Sequence, residues 1–296
     1  MARTASEIFG HPIDLQTARA QADRTKHRCP FTGVKCTKRS RLVKYPTGAC
    51  SVLYQNDDIA LCPKRFLEND TVFRDIAQAA FGSLDNLLRF DQVKLGKIGS
   101  LDYVIVKHKP LSSEIEDFVV VEFQTGQTTS TGKLIQALKD FKAGQDIQGK
   151  TYKFGMNFFD IWKREFTQIL FKGMVMEQWG TRIYWIVQTP IFKFLKDKYH
   201  LASLKPGRDN HTVFALYDLK RVGDSLKLTL HHSLPLPLGE GRVRGNSDCY
   251  WSVTMDGLFH DLRHSQPVPS KAEFVSRLKA RVTKELRVRL KIEAAR

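Results

Sequence analysis

An α/β fold with a mixed sheet flanked by helices is predicted by the order in which apolar patterns change along the 296-residue chain. Helical spacing begins after Asp70, two β-branched runs lie within 101–125, and a further helix and a wholly apolar strand follow. The order helix, strand, strand, helix, strand builds a mixed α/β core.

In the first helix Val72, Phe73, Ile76, Ala77, Ala80 and Phe81 recur at helical spacing, with Asp70 or Thr71 available as cap and Gly82 as punctuation. LDNLLRF (84–90) is expected to continue as a second helical stretch. LDYVIVKH (101–108) and DFVVVEFQT (117–125) are strands rich in β-branched and aromatic residues, joined by the polar insert KPLSSEIE. TGKLIQALKDFKAG is a helix with Leu134, Ile135, Leu138 and Phe141 on one face; a longer helix covers about 157–179, and RIYWIVQ (182–188) is a buried strand. From about 205, TVFALYDL and SLKLTLHH alternate as strands with basic loops. A basic amphipathic helix at about 271–293 is expected to dock Val275, Leu278, Val282, Leu286 and Leu290 on the core with a solvated basic face, DNA-backbone contact or lying on a membrane being the alternatives. The chain thus divides into a segment 1–66, a core 67–200 and a completing region 201–296.

Charge narrows the partners. Lys and Arg number 47 against 31 Asp and Glu, a net charge of +16. Such a chain attracts polyanions, nucleic acid first among them. No apolar window approaches the roughly 18 residues of a membrane span, and the N-terminus lacks the apolar core of a signal peptide. A soluble cytoplasmic protein is expected.

Four of the five cysteines, Cys29, Cys36, Cys50 and Cys62, fall in the first segment, separated by 6, 13 and 11 residues. Where disulfides do not form, such clustering suggests a metal. Four thiolates satisfy a tetrahedral ion such as zinc or iron and leave no open position, so the site would be structural. Unrelated buried or surface cysteines are the alternative; Cys249, alone, is read as an ordinary buried thiol. Lys35, Lys38, Arg39, Arg41 and Lys44 run between the thiols, as a solvated surface or as phosphate contacts.

The candidate chemistry sits on the paired strands. Asp102 opens one and Glu122 lies in the other, with Gln124 on the same face as Glu122. Paired as a hairpin, the strands bring Asp102 and Glu122 together. With the backbone carbonyl of Phe123 they make an oxygen-only site for magnesium, able to polarise a phosphodiester and activate water. A solvent-facing pair is the alternative, but VVVEFQ is otherwise apolar, where a Glu and a Gln are costly unless used.

The four-cysteine segment, the following helix and the Asp…Glu-x-Gln hairpin together resemble the NotI family of type II restriction endonucleases. The resemblance covers the first 150 residues well and the remainder in general layout. It implies a PD-(D/E)XK-type nuclease core beside a small metal domain, at the length of the shorter, EagI-like members. On this resemblance Asp102 and Glu122 are the metal-binding carboxylates, and Gln124 stands where most such nucleases have Lys. Cys29, Cys36, Cys50 and Cys62 match the four-cysteine site; iron as its occupant, where residue chemistry alone suggests zinc, comes only from the family. The implied activity is magnesium-dependent cleavage of double-stranded DNA at a GC-rich palindrome such as CGGCCG, leaving a 5′ overhang, in a prokaryotic cytoplasm. A two-fold target calls for a homodimer, whose interface the apolar stretch within 130–200 could supply. Guanine edges are best read by Arg or Lys, with Arg208, Arg242 and Arg244 as candidates. A non-catalytic, metal-stabilised nucleic-acid-binding protein and a structure-selective repair nuclease are the competing readings.

Overall fold

In the computed structural model, which describes residues 3–231, 249–265, 270–273, 275–276 and 278–280, the segment around the thiols carries a sheet of its own. Strands β1 (Thr4–Ile8), β2 (His11–Pro12), β3 (Ala49–Tyr54) and β4 (Asp57–Ala60) pair antiparallel in the order β2-β1-β3-β4. Helix α1 (Ala18–Lys26) leaves this sheet, its first turn capped by the Thr17 hydroxyl, which accepts from the Ala20 amide. Buried Glu7 of β1 accepts from Ser51 Oγ at 2.7 Å and from Arg65 Nε at 2.9 Å. Burial raises the Glu7 carboxyl and Arg65 opposes that rise. Arg65 lies in the 3-10 turn Pro63–Asp70 and reaches on to Glu68 and the Leu226 carbonyl.

The main sheet is mixed. After α2 (Thr71–Phe81) come β5 (Leu87–Lys94), β6 (Ser100–His108) and β7 (Ile115–Phe123), then the short β8 (Thr128–Thr129), α3 (Thr131–Lys142) and β9 (Gly155–Met156). Helix α4 (Phe158–Gln178), β10 (Ile183–Gln188) and α5 (Thr189–Tyr199) follow. The chain continues through β11 (Lys205–Pro206), β12 (Thr212–Val222), β13 (Ser225–Leu230), β14 (Tyr250–Val253) and α6 (Met255–His264). The strand order is β11-β14-β12-β10-β7-β6-β5, with β13 also on β12. β7, β10 and β12 run parallel at the centre, and β6 turns back antiparallel on β7. A central strand buried on both faces reads as a continuous apolar run, as DFVVVEF and IYWIVQ do.

Successive strand residues feed opposite faces. Val120, Trp185 and Phe214 meet Trp162 and Ile169 of α4 on one side; Val119, Val121, Tyr184 and Ile186 meet Phe73 and Ile76 of α2 on the other. The first face also packs Ala5, Val52 and Ile59 of the small sheet, so the two sheets share one core. Gly173 lets α4 settle closely here: a Cβ would stand 2.5 Å from Met255 Sδ and 2.9 Å from Thr212 Oγ1.

Three expectations need correction. Residues 84–90 do not extend a helix. Asn86 takes a left-handed φ of 54°, which ends helical geometry, and Leu87–Lys94 satisfies its backbone on β6 as an edge strand. Asp70 does not cap α2 with its side chain but pairs with Arg89 instead. In the basic C-terminal helix, the described positions Val275 and Leu278 are 37% and 43% exposed rather than docked; Val282, Leu286 and Leu290 lie outside the described residues.

Candidate active site

The β6–β7 pairing brings the two carboxylates to one end of the hairpin. Tyr103 stands opposite Val121, so the next positions outward are Asp102 and Glu122. The Asp102 amide donates to Glu122 Oε1 at 3.3 Å, and Asp102 Oδ2 accepts from the Phe123 amide at 3.1 Å. Asp102 lines a cleft of about 190 Å³ with Lys64, Gln92, Gln124 and Glu165, and Glu122 lies behind its wall. Phe123 and Tyr103 also line the cleft, and the Phe123 ring packs against Phe66, Phe73 and Tyr103.

Helix α4 supplies two groups that reading the sequence missed. Lys172 Nζ donates to Glu122 Oε1 at 2.8 Å, with the two residues 4% and 3% exposed. Glu165 Oε2 accepts from Gln124 Nε2 at 2.7 Å. Their signal was present: the face of α4 that buries Ile161, Ile169 and Met176 also carries Glu165 and Lys172. Charged residues within a buried stripe are costly unless paired. Desolvation, with the nearby Asp102 charge, pushes the Glu122 carboxyl up to about 7, against the pull of Lys172. Burial also raises Glu165, opposed by its bond from Gln124.

Cys29, Cys36, Cys50 and Cys62 line a second cavity, of about 370 Å³, beside Lys38 and Lys64. The Gly10 amide donates to Cys50 Sγ at 3.2 Å. Burial raises the Cys50 and Cys62 thiols, and Lys38 pulls Cys62 back down. Among the described residues, no three His, Cys, Asp or Glu side chains stand as a group that could hold a metal ion, here or at the carboxylates. Cys62 leads through Pro63 to Lys64, which borders both cavities.

Main-chain bonds join this segment to the cleft. The Gly126 amide donates to the Ala60 carbonyl of β4 at 2.7 Å, just past Gln124. A Cβ on Gly126 would come within 2.6 Å of both Ile59 and Met156, so the close approach requires glycine. The Gln188 side chain completes the join, accepting from the Ala60 amide and donating to the Asp58 carbonyl.

Of the arginines considered for base reading, Arg208 donates to the Ala79 carbonyl and lies over the Tyr250 ring, contacts internal to the fold. Arg242 and Arg244 lie outside the described residues. Arg39, Arg41 and Lys44 are exposed. Cys249 is buried among the residues packed under α2. No described helix is long and apolar enough to cross a membrane.

No curated protein matches the chain. The sequence model of the family described as restriction endonuclease NotI matches residues 7–230, a span that holds both strands of the hairpin, α4 and all four clustered cysteines. With more than half of its length matched, the chain belongs to the NotI family of restriction endonucleases.

Proposed function

We propose that the protein is a type II restriction endonuclease that hydrolyses double-stranded DNA with magnesium held at Asp102, Glu122 and the Phe123 carbonyl. The observation that carries the reading is that Asp102 lines a cleft at the end of a strand pair with buried Glu122 beside it, accepting from the Asp102 amide, in a chain of net charge +16. Magnesium there would polarise a phosphodiester oxygen and acidify the attacking water. Asp102 stays fixed by the Phe123 amide and Glu122 by Lys172, so the oxygen ligands are oriented before any ion enters. The water oxygen forms one P–O bond as the scissile P–O bond breaks; the water gives up a proton to solvent and the leaving oxygen takes one up. Gln124 lies where it can orient that water, without the charge a lysine would bring.

The target is a GC-rich palindrome such as CGGCCG, cut to leave a 5′ overhang by a homodimer whose two-fold axis matches that of the site. The exposed Phe171 and Met174 of α4 are apolar surface suited to such an interface. Incubation with a large, sequenced, unmethylated DNA in magnesium, beside an EDTA control, tests this. Discrete fragments ending at one palindrome are expected. DNA that stays intact in magnesium yet shifts on a native gel would leave a binding protein and sink the enzyme.

The four thiols are proposed to hold one structural iron, with zinc the alternative. Soft thiolates bordering one cavity suit either ion, and the Gly10 amide and Lys38 would each stabilise negative sulfur. Elemental analysis is expected to find about one tightly bound ion per chain, and Cys36→Ser to lower both metal content and melting temperature. Equal melting of metal-free and metal-loaded protein would remove the structural role.

A further inference from the structure

Gln124 offers two chemically opposite ends to the cleft, an amide donor and a carbonyl acceptor. Its Nε2 is taken, 2.7 Å from Glu165 Oε2, and among the described residues its Oε1 accepts no hydrogen bond. An ionised carboxylate only accepts, so the group facing Glu165 must be the NH2. This fixes the flip of the amide and leaves the carbonyl oxygen without a donor among the described residues, on a side chain that lines the cleft together with Asp102.

We propose that Glu165 is a positioning residue that makes Gln124 a hydrogen-bond acceptor, so that Gln124 Oε1 orients the attacking water by accepting a hydrogen bond from it. The inference rests on the endonuclease reading. It reverses the role a lysine would play at this position, since an ammonium can only donate. The positive charge that such a lysine would bring comes instead from α4, as Lys172 on Glu122. Two side chains of one helix thereby divide the work of one residue: Lys172 compensates charge, and Glu165 sets the polarity of the water contact.

The test is an exchange of groups, read as single-turnover cleavage of a duplex that the parent protein cuts, with duplex binding and melting temperature measured alongside. Glu165→Ala frees the amide to rotate and is expected to slow cleavage on the order of a hundredfold, with binding unchanged. Glu165→Gln still offers a carbonyl to the Gln124 amide and is expected to lose far less. The double variant Gln124→Glu with Glu165→Gln is the decisive one. The bond is rebuilt with donor and acceptor exchanged, an acceptor oxygen is still left without a donor, and cleavage is expected to exceed that of Gln124→Glu alone. An active Gln124→Lys beside an inactive double variant would show that a donor is needed and overturn the proposal. Equal loss in Glu165→Gln and Glu165→Ala would also overturn it, by making Glu165 a direct ligand. A parent protein that cuts no duplex would instead refute the endonuclease reading itself.

Discussion

Asp102→Ala and Glu122→Ala are each expected to abolish magnesium-dependent cleavage while leaving the protein bound to its DNA. The two side chains are the acidic pair brought together by the β6–β7 hairpin, and no other carboxylate is bonded to them directly among the described residues. A coordinated ion contributes several kcal/mol of charge stabilisation in the transition state. At one decade per 1.4 kcal/mol or so, its loss slows cleavage by about a thousandfold or more. Binding should hold or tighten, because removing a carboxylate from a phosphate-binding cleft relieves repulsion. Asp102→Asn is the useful companion, since its carbonyl can still accept from the Phe123 amide. Gel shift without magnesium and single-turnover cleavage with it check both halves. Parallel loss of binding and cleavage would mean that the pair holds the fold rather than the ion.

Lys172→Met is expected to destabilise the metal-free protein by about 1–2 kcal/mol at pH 8, because one partner of a buried ion pair is left alone and its carboxyl must keep its proton. The pH dependence gives the signature. The Glu122 carboxyl is raised to about 7 from an ordinary value of 4.5. A raised carboxyl holds its proton in the native state after the unfolded chain has released it. Its contribution to stability is therefore complete below pH 4.5 and is lost as pH rises through about 7. Without Lys172 the carboxyl climbs further, so the variant's melting deficit should widen from pH 5 to pH 8. At pH 5 Glu122 is neutral, and methionine beside a neutral carboxyl costs little. A deficit that is flat with pH would indicate lost packing alone. Melting curves in EDTA across that range decide the matter.

How much of this could be read in advance varies with the range of the interactions. Helix 71–81 and strands 101–108 and 182–188 were legible because their periodicity is local and their apolar faces are unambiguous. The position of Asp102 and Glu122 followed from one hairpin, whose register needs only neighbouring strands. β1 was not legible: its buried Glu7 is explained by Ser51 and Arg65, far along the chain, and a short strand has no period to betray it. Leu84–Phe90 misled because two adjacent leucines suit a helix as well as a strand, and only Asn86 and the edge of β6 decide between them. Glu165 and Lys172 are visible as charges in an apolar stripe, but their partners on β7 become evident only once α4 lies across it.

The bond from Gly126 to Ala60 has a bearing on how such an enzyme can be rebuilt. It hangs the turn after Gln124 directly on β4, and Gln188 clasps the same strand from β10. The thiol-bearing segment is therefore not a cassette that could be cut away at its boundary and replaced by another. A chimaera that imports a new N-terminal segment would leave the Gly126 amide and the Gln188 side chain facing a foreign strand edge. To keep the cleft in shape, the graft would have to carry its own residues 124–128 and its own partner for position 188, so that inheritance runs by contact surface rather than by stretch of sequence.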